Sequence, residues 1–422
     1  MNYLDYLAPQ TETIGRPFED ENPSTPDMPT FNPRTLSGVM DTTWKVNADY
    51  TLENTFSLSD VRVQRRSPAG EGNAIIEGYE IREEPRLRFS LLGGTLNGFG
   101  GLHYFEADQD EFIDFGGNNS FDDSTRTMAA FGEGTLTVLH DIDLTLGGRF
   151  ERERRKRDGG EAPVFDINFD ETYNAFLPKA GVAWHATEKV TVGAVVSRGF
   201  NGGGAGFSFN TPFVSYTYDP EYVWNYEAYT RAELFDRKLM LTGNIFFADY
   251  KNMQLPFSLG TFSTVIRNAE RAITYGAEAG AKWLPVAGLQ LYSDIGLLKT
   301  EITDYPSSGF EGNDLPRSPA FTADFGAVYQ HRSGFDVGAD VRYSEAYYSN
   351  VANTPRGKVD PYWVVNMQAG YTYENVRLFA FVNNLFDDES LTMHHTDGAT
   401  EADDSANIVH PRAWGVGLKV TF

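Results

Sequence analysis

The segment Thr274–Trp283 reads TYGAEAGAKW, and its two-residue rhythm decides the fold. Tyr275, Ala277, Ala279, Ala281 and Trp283 fall on one side of an extended chain, with Gly276, Glu278, Gly280 and Lys282 on the other. Ordinary strands average about five or six residues, and this apolar side outlasts them. Eight residues separate Tyr275 from Trp283, roughly 26 Å at about 3.3 Å per residue. Tilted by about 40°, the span becomes roughly 20 Å, close to the apolar band between the aromatic girdles of a membrane β-barrel.

The same alternation recurs from about residue 38 onward. In 335–344, Phe335, Val337, Ala339, Val341 and Tyr343 oppose Asp336, Gly338, Asp340, Arg342 and Ser344. In 362–373, Trp363, Val365, Met367, Ala369, Tyr371 and Tyr373 oppose Asn366, Gln368, Gly370 and Thr372. Segments 223–234 and 320–330 follow suit. The pattern predicts 17 spanning strands, near 39–48, 50–64, 82–92, 97–107, 126–138, 142–152, 173–185, 189–199, 222–235, 238–250, 271–284, 288–300, 319–330, 335–345, 362–373, 376–385 and 412–422. Short turns, such as Leu139-His140-Asp141 and Arg332-Ser333-Gly334, alternate with long polar connections at 67–80, 107–126, 153–172, 199–221, 251–270, 301–318, 345–361 and 386–411. Short turns on one side and long loops on the other is the asymmetry of bacterial outer-membrane barrels. A propeller lacks support, because no repeat of roughly 40–45 residues carries a blade signature.

Composition narrows the function. The 422 residues carry 59 Asp+Glu against 35 Lys+Arg, a net charge of −24, which repels nucleic-acid phosphates. The absence of Cys excludes a disulfide framework, a thiolate metal site and a Cys nucleophile. No stretch approaches the roughly 18 apolar residues of a membrane helix, a test that strands pass unseen. The first residues, MNYLDYLAPQ, show no basic start followed by an apolar core.

The last eleven residues, RAWGVGLKVTF, place Trp414, Val416, Leu418, Val420 and Phe422 on one face, and this resembles the C-terminal assembly signal of outer-membrane barrels. Upstream, VRLFAFVNNLFDDES (Val376–Ser390) resembles the penultimate strand of TonB-dependent receptors and its NLFD-type end. The run LPKAGVAWHATEKVTVGAVVSRGFNGGG at 177–204, Asp219-Pro220-Glu221 with Trp224-Asn225-Tyr226-Glu227, Val265-Ile266-Arg267-Asn268-Ala269 with Tyr275-Gly276-Ala277-Glu278, and Leu315-Pro316-Arg317-Ser318-Pro319 are similar to further motifs of that family, in its order. The resemblance covers 172–422 well and 38–171 more loosely.

The resemblance implies an all-β, antiparallel transmembrane barrel of 22 strands, of which about 17 lie here, with a lumen filled by a separate plug. Residues 1–37 are expected as an extracellular loop or strand remnant, and 38–422 as a barrel incomplete at its N-terminus, without plug, TonB-contacting segment or signal peptide. The expected role is uptake of a scarce large solute, foremost a ferric siderophore, in the outer membrane of a Gram-negative bacterium. Partners would be lipid, lipopolysaccharide, the barrel-assembly machinery and, with a plug supplied, the TonB system. No enzyme activity, cofactor or resident metal is implied. A passive porin or surface-binding barrel is the alternative, and a soluble all-β binding protein a third.

Three groups of residues are candidates for contact. The loop 207–224 carries Phe207, Phe209, Phe213, Tyr216 and Tyr218, which either meet the solute as an exposed aromatic cluster or pack among themselves. The run Arg152-Glu153-Arg154-Arg155-Lys156-Arg157 lies at the extracellular end of a strand, where its cations suit lipopolysaccharide phosphates, a solvated loop base being the alternative. Adjacent His394 and His395 point opposite ways on an extended chain, which disfavours a two-His chelate. Acidic stretches at 108–111 and 401–404 lack the spacing of a cation loop.

Overall fold

Every second side chain of the long strands faces away from the protein, and this sorts the whole molecule into two surfaces. A computed structural model of the chain describes residues 30–67, 71–115, 117–161, 164–208, 214–260, 263–396 and 404–421. The strands are β1 (Thr30–Lys45), β2 (Tyr50–Arg66), β3 (Glu71–Leu91), β4 (Leu96–Phe115), β5 (Asn118–Val138), β6 (Ile142–Glu161), β7 (Phe165–Thr187) and β8 (Val190–Asn201). There follow β9 (Gly204–Phe207), β10 (Ser215–Tyr218), β11 (Glu221–Leu234), β12 (Leu239–Gly260), β13 (Ser263–Val286), β14 (Leu289–Asp304), β15 (Phe321–Gln330) and β16 (Phe335–Ser344). The last are β17 (Tyr347–Tyr348), β18 (Lys358–Val359), β19 (Tyr362–Tyr373), β20 (Val376–Asn383), β21 (Leu391–His395), β22 (Ser405–Ile408) and β23 (Ala413–Val420).

Seventeen strands form one antiparallel sheet, each paired with the next in the chain. The pairs β9/β10, β17/β18 and β21/β22 are separate small hairpins in the long connections. Register fixes the faces. Tyr343 lies opposite Trp363 and Val341 opposite Val365, while the polar set Asp324, Arg342 and Asp340 aligns on the other side. The outer face carries the exposed large hydrophobics, among them Leu146, Phe150, Ile245, Leu297, Trp363 and Leu418. On a soluble protein such a surface would aggregate. Against hydrocarbon it is the solvent-matched face.

Two aromatic belts bound this face. Trp184, Trp283, Phe335, Tyr371 and Tyr373 stand near the short turns, and Phe176, Tyr226, Tyr275 and Trp363 toward the long connections. The tight turns use backbone that mirrors the common one, with positive φ at Leu139 (52°) and His140 (63°), which matches the right-handed twist of the flanking strands.

Four of the expected long loops, 67–80, 107–126, 153–172 and 251–270, are, among their described residues, almost entirely continuations of strands. The ladder persists upward through Glu111 opposite Phe121 and Asp122 opposite Asp158. Above the membrane the outer face is wet and the inner face mixes polar with buried apolar side chains, so the hydropathy pattern of the membrane segments is lost while the backbone pairing continues. β1 likewise begins at Thr30, ahead of the expected boundary at residue 38, because Phe31 pairs with Arg65. Among the described residues no ladder joins β1 to β23, and both run from the long-connection end toward the short turns.

Candidate functional site

The inner face is predominantly polar, and several of its charges are paired with an adjacent strand or with the strand beyond it. Arg342 Nε lies 2.8 Å from Asp324, Arg377 2.6 Å from Asp336, and Lys179 2.8 Å from Glu133. The Asn366 amide donates to Asp340 Oδ2 at 2.8 Å. Aromatic rings cover inward glycines of the next strand: Phe379 over Gly417, Phe381 over Gly415, Tyr229 over Gly193 and Tyr292 over Gly326. A Cβ at Gly415 would stand 2.7 Å from the Phe381 ring, so glycine there makes room for the ring. These pairings escaped the sequence reading, and an inward glycine beside an inward aromatic is the signal that would have found them.

Between these walls lies a cavity of about 2060 Å³, lined by strands from β7 round to β23 and, toward the long-connection end, by residues of β17, β21 and β22. That size admits a large solute. The cavity lining includes Tyr229, Arg231, Arg317, Arg342, Tyr347 and Tyr362.

The long connections pack into two small cores. In one, Leu255, Ala269, Ala272, Ile302, Tyr305, Leu315 and Val351 are buried together. The Arg267 guanidinium lies 4.2 Å from the Phe257 ring centroid, and burial pushes the Tyr305 hydroxyl up to about 12. In the other, Phe121, Ile167, Phe169 and Phe207 are buried, with Phe207 stacked 5.1 Å from Phe121 and 4.7 Å from Phe165. The expected exposed aromatic cluster is therefore not exposed at Phe207, which is 7% accessible. Its neighbours β5 to β7 rise beyond the membrane and enclose it. Tyr216 and Tyr218 are half-buried on β10, with ring centroids 6.4 Å apart. Burial also raises the Tyr216 pKa. Phe209 and Phe213 lie outside the described residues.

The basic run is divided by the strand that carries it. Arg155 and Arg157 point into the lumen. Arg155 bonds Glu153 at 2.7 Å and the carbonyls of Gly202 and Gly203. Arg157 pairs with Asp123 at 2.6 Å and Glu111 at 2.8 Å, and lies 4.2 Å from the Phe121 centroid. Arg152, Arg154 and Lys156 face outward just above Phe150. Arg154 makes two bonds to Asp170, which hold that carboxyl down to about 2, and Arg152 has no ion pair among the described residues. The six-residue patch expected from sequence is thus two half-patches on opposite faces, because adjacent strand residues diverge.

His394 is buried with Nε2 3.1 Å from Asp404 Oδ2, and Arg356 Nε donates to the same carboxylate at 2.7 Å. This ties the β17/β18 connection to the β21/β22 hairpin. Among the described residues no group of three His, Asp or Glu side chains is arranged to hold a metal. On β23, Trp414, Val416, Leu418 and Val420 face outward with accessibilities from 39% to 78%, and Phe422 lies outside the described residues.

An apolar outer face, a polar inner face with paired charges and packed long connections define the wall of a membrane β-barrel. The family described as TonB dependent receptor-like, beta-barrel matches residues 2–385, and the chain belongs to it. Among curated relatives, the metal-pseudopaline receptor CntO of Pseudomonas aeruginosa is 27% identical over 251 residues, covering 57% of this chain and 34% of its own length. The catecholate siderophore receptor Fiu of Escherichia coli K12 is 23% identical over 363 residues, covering 78% and 46% respectively. The chain thus spans between a third and a half of these relatives. The fold matches the ferric yersiniabactin uptake receptor FyuA of Yersinia pestis, with a TM-score of 0.81 at 19% identity, over 94% of this chain and 63% of that one. These relatives are transport receptors, not enzymes, and barrels of this family reside in the outer membrane.

Proposed function

We propose that the chain forms the barrel wall of an outer-membrane receptor that takes up a scarce large solute, foremost a ferric siderophore. The observation that carries this reading is the polar lumen of about 2060 Å³ beneath a packed loop layer. A passive porin has no need of such packing, whereas here two apolar cores and the Arg356–Asp404–His394 tie order the long connections. The names of the receptor relatives support ferric or metal chelates as cargo. Energy coupling belongs to the reading where a plug occupies the lumen and contacts TonB. Phe207, Tyr216 and Tyr218 serve in it mainly by packing the loop layer, with Phe209 and Phe213 as further candidates for solute contact. Arg152, Arg154 and Lys156 face lipopolysaccharide phosphates, and Trp414, Val416, Leu418, Val420 and Phe422 present the face read by the barrel-assembly machinery.

The test is growth on ferric siderophores of a host stripped of its own receptors and given this barrel with a plug. Growth that depends on TonB supports the reading. Equal uptake in a host lacking TonB establishes the passive barrel instead.

A further inference from the structure

Three of the short turns carry large apolar side chains where turn geometry favours glycine or a small polar residue. Leu92, Leu139 and Phe235 open the turns after β3, β5 and β11, and their φ angles of 55°, 52° and 52° lie in the left-handed region. Glycine, asparagine and aspartate take that region readily, whereas a bulky side chain there is an outlier. In the turn after β11 the next two residues, Asp236 and Arg237, are left-handed as well, at 55° and 64°. The three apolar residues are 72%, 78% and 69% accessible, so packing within the chain does little to offset the backbone cost. Glu374, which opens the turn after β19, has the same backbone at 54° with a charged side chain. The geometry therefore accepts a polar residue, and the apolar choice has its cause outside the chain.

Register places these turns at the edge of the apolar band. Ile142, which closes the turn begun by Leu139, pairs with Trp184. Leu239, which closes the turn begun by Phe235, pairs with Trp283. Each turn thus leaves the sheet about one strand spacing, roughly 4.8 Å, from a tryptophan of the belt near the short turns. Belt tryptophans sit at the headgroup level, and the interfacial layer beyond the hydrocarbon is roughly 5–7 Å deep on each side. Turns this close to the belt end inside that layer, not in bulk water.

We propose that Leu92, Leu139 and Phe235 insert into the headgroup–acyl boundary of the phospholipid leaflet on the short-turn side and pin the rim of the barrel to it. Lipid supplies the burial that the chain itself does not, and this gain offsets the left-handed backbone. The turns with Glu188 and Lys189, and with Glu374, stay among headgroups and water. The inference holds whatever solute the barrel carries, so it goes beyond the uptake reading and does not rest on it.

The test is urea unfolding of the full chain from dilauroylphosphatidylcholine vesicles, because water and lipid around the tips give opposite signs. Asparagine suits a left-handed turn better than leucine or phenylalanine, so in water Leu139→Asn and Phe235→Asn would stabilise the fold. In the lipid interface each is expected to shift the folding equilibrium toward the unfolded chain by about fivefold, the worth of roughly half a side chain's transfer from water. Glu374→Asn, at the same backbone angle, is expected to hold or raise stability. A rise or no change for both Leu139→Asn and Phe235→Asn overturns the proposal, and is the result expected if a soluble protein, not lipid, covers the tips. A second measurement does not depend on reversible unfolding. A fluorophore attached through Leu139→Cys or Phe235→Cys, in a chain with no other cysteine, should be quenched more by nitroxide-labelled phospholipid than by aqueous iodide. The reverse order overturns the proposal.

Discussion

Arg157 shows how a single side chain can be misread from its neighbours in sequence. It belongs to a basic run, yet it faces inward, bridges Asp123 and Glu111 and covers Phe121. Burial pushes the Asp123 carboxyl up while Arg157 pulls it down. Arg157→Gln leaves two carboxylates facing each other, at a cost of about 2 kcal/mol, below the 3–5 of a fully buried pair because the side chain is partly wet. Amide exchange at the upper ends of β5 and β6 should quicken, with the membrane-embedded ladder unaffected. Arg152→Gln, outward and unpaired, should change neither. Identical exchange in the two variants would refute the bridging role.

At the scale of the strand, one-residue steps separate oil from water. Ala339 faces outward between Ala327 and Met367, and Asp340 faces the lumen with Asn366. Ala339→Arg should cost about 2–4 kcal/mol near the midplane, and Asp340→Asn no more than about 0.5. Urea unfolding from lipid vesicles, followed by tryptophan fluorescence, compares them. Equal costs would mean that Ala339 does not lie against lipid. These faces were legible in the sequence wherever one side of a strand meets hydrocarbon, as in Thr274–Trp283 and Phe335–Ser344. They were illegible in the upper halves of β3 to β7 and in β12 and β13, where the outward side meets water instead of hydrocarbon and only the backbone ladder is regular. The loop cores were hidden for another reason. Phe121, Ile167 and Phe207 come from three distant segments, and no local pattern pairs them. The Leu315–Pro319 motif was visible, but not that Arg317 would line the cavity.

At the scale of the molecule, the two outermost strands, β1 and β23, run in the same sense. Direct pairing between them would be a parallel ladder, the weaker arrangement per residue, whereas an antiparallel closure takes an odd number of intervening strands. The native sequence has no cysteine, so introduced pairs report cleanly. Cysteines replacing Thr43 and Lys419, both lumen-facing near the short turns, should stay reduced under mild oxidation in vesicles. A disulfide between them would reveal a parallel seam.

The upward continuation of the hairpins sets how far the wall rises above the membrane. β13 has 24 residues, roughly 80 Å of chain at about 3.3 Å each, or roughly 60 Å of height at a tilt of about 40°. Since the apolar band accounts for about 25 Å, a parapet of comparable height stands clear of the bilayer. For the proposed uptake, first contact then falls at the top of this wall, well above the lipid headgroups.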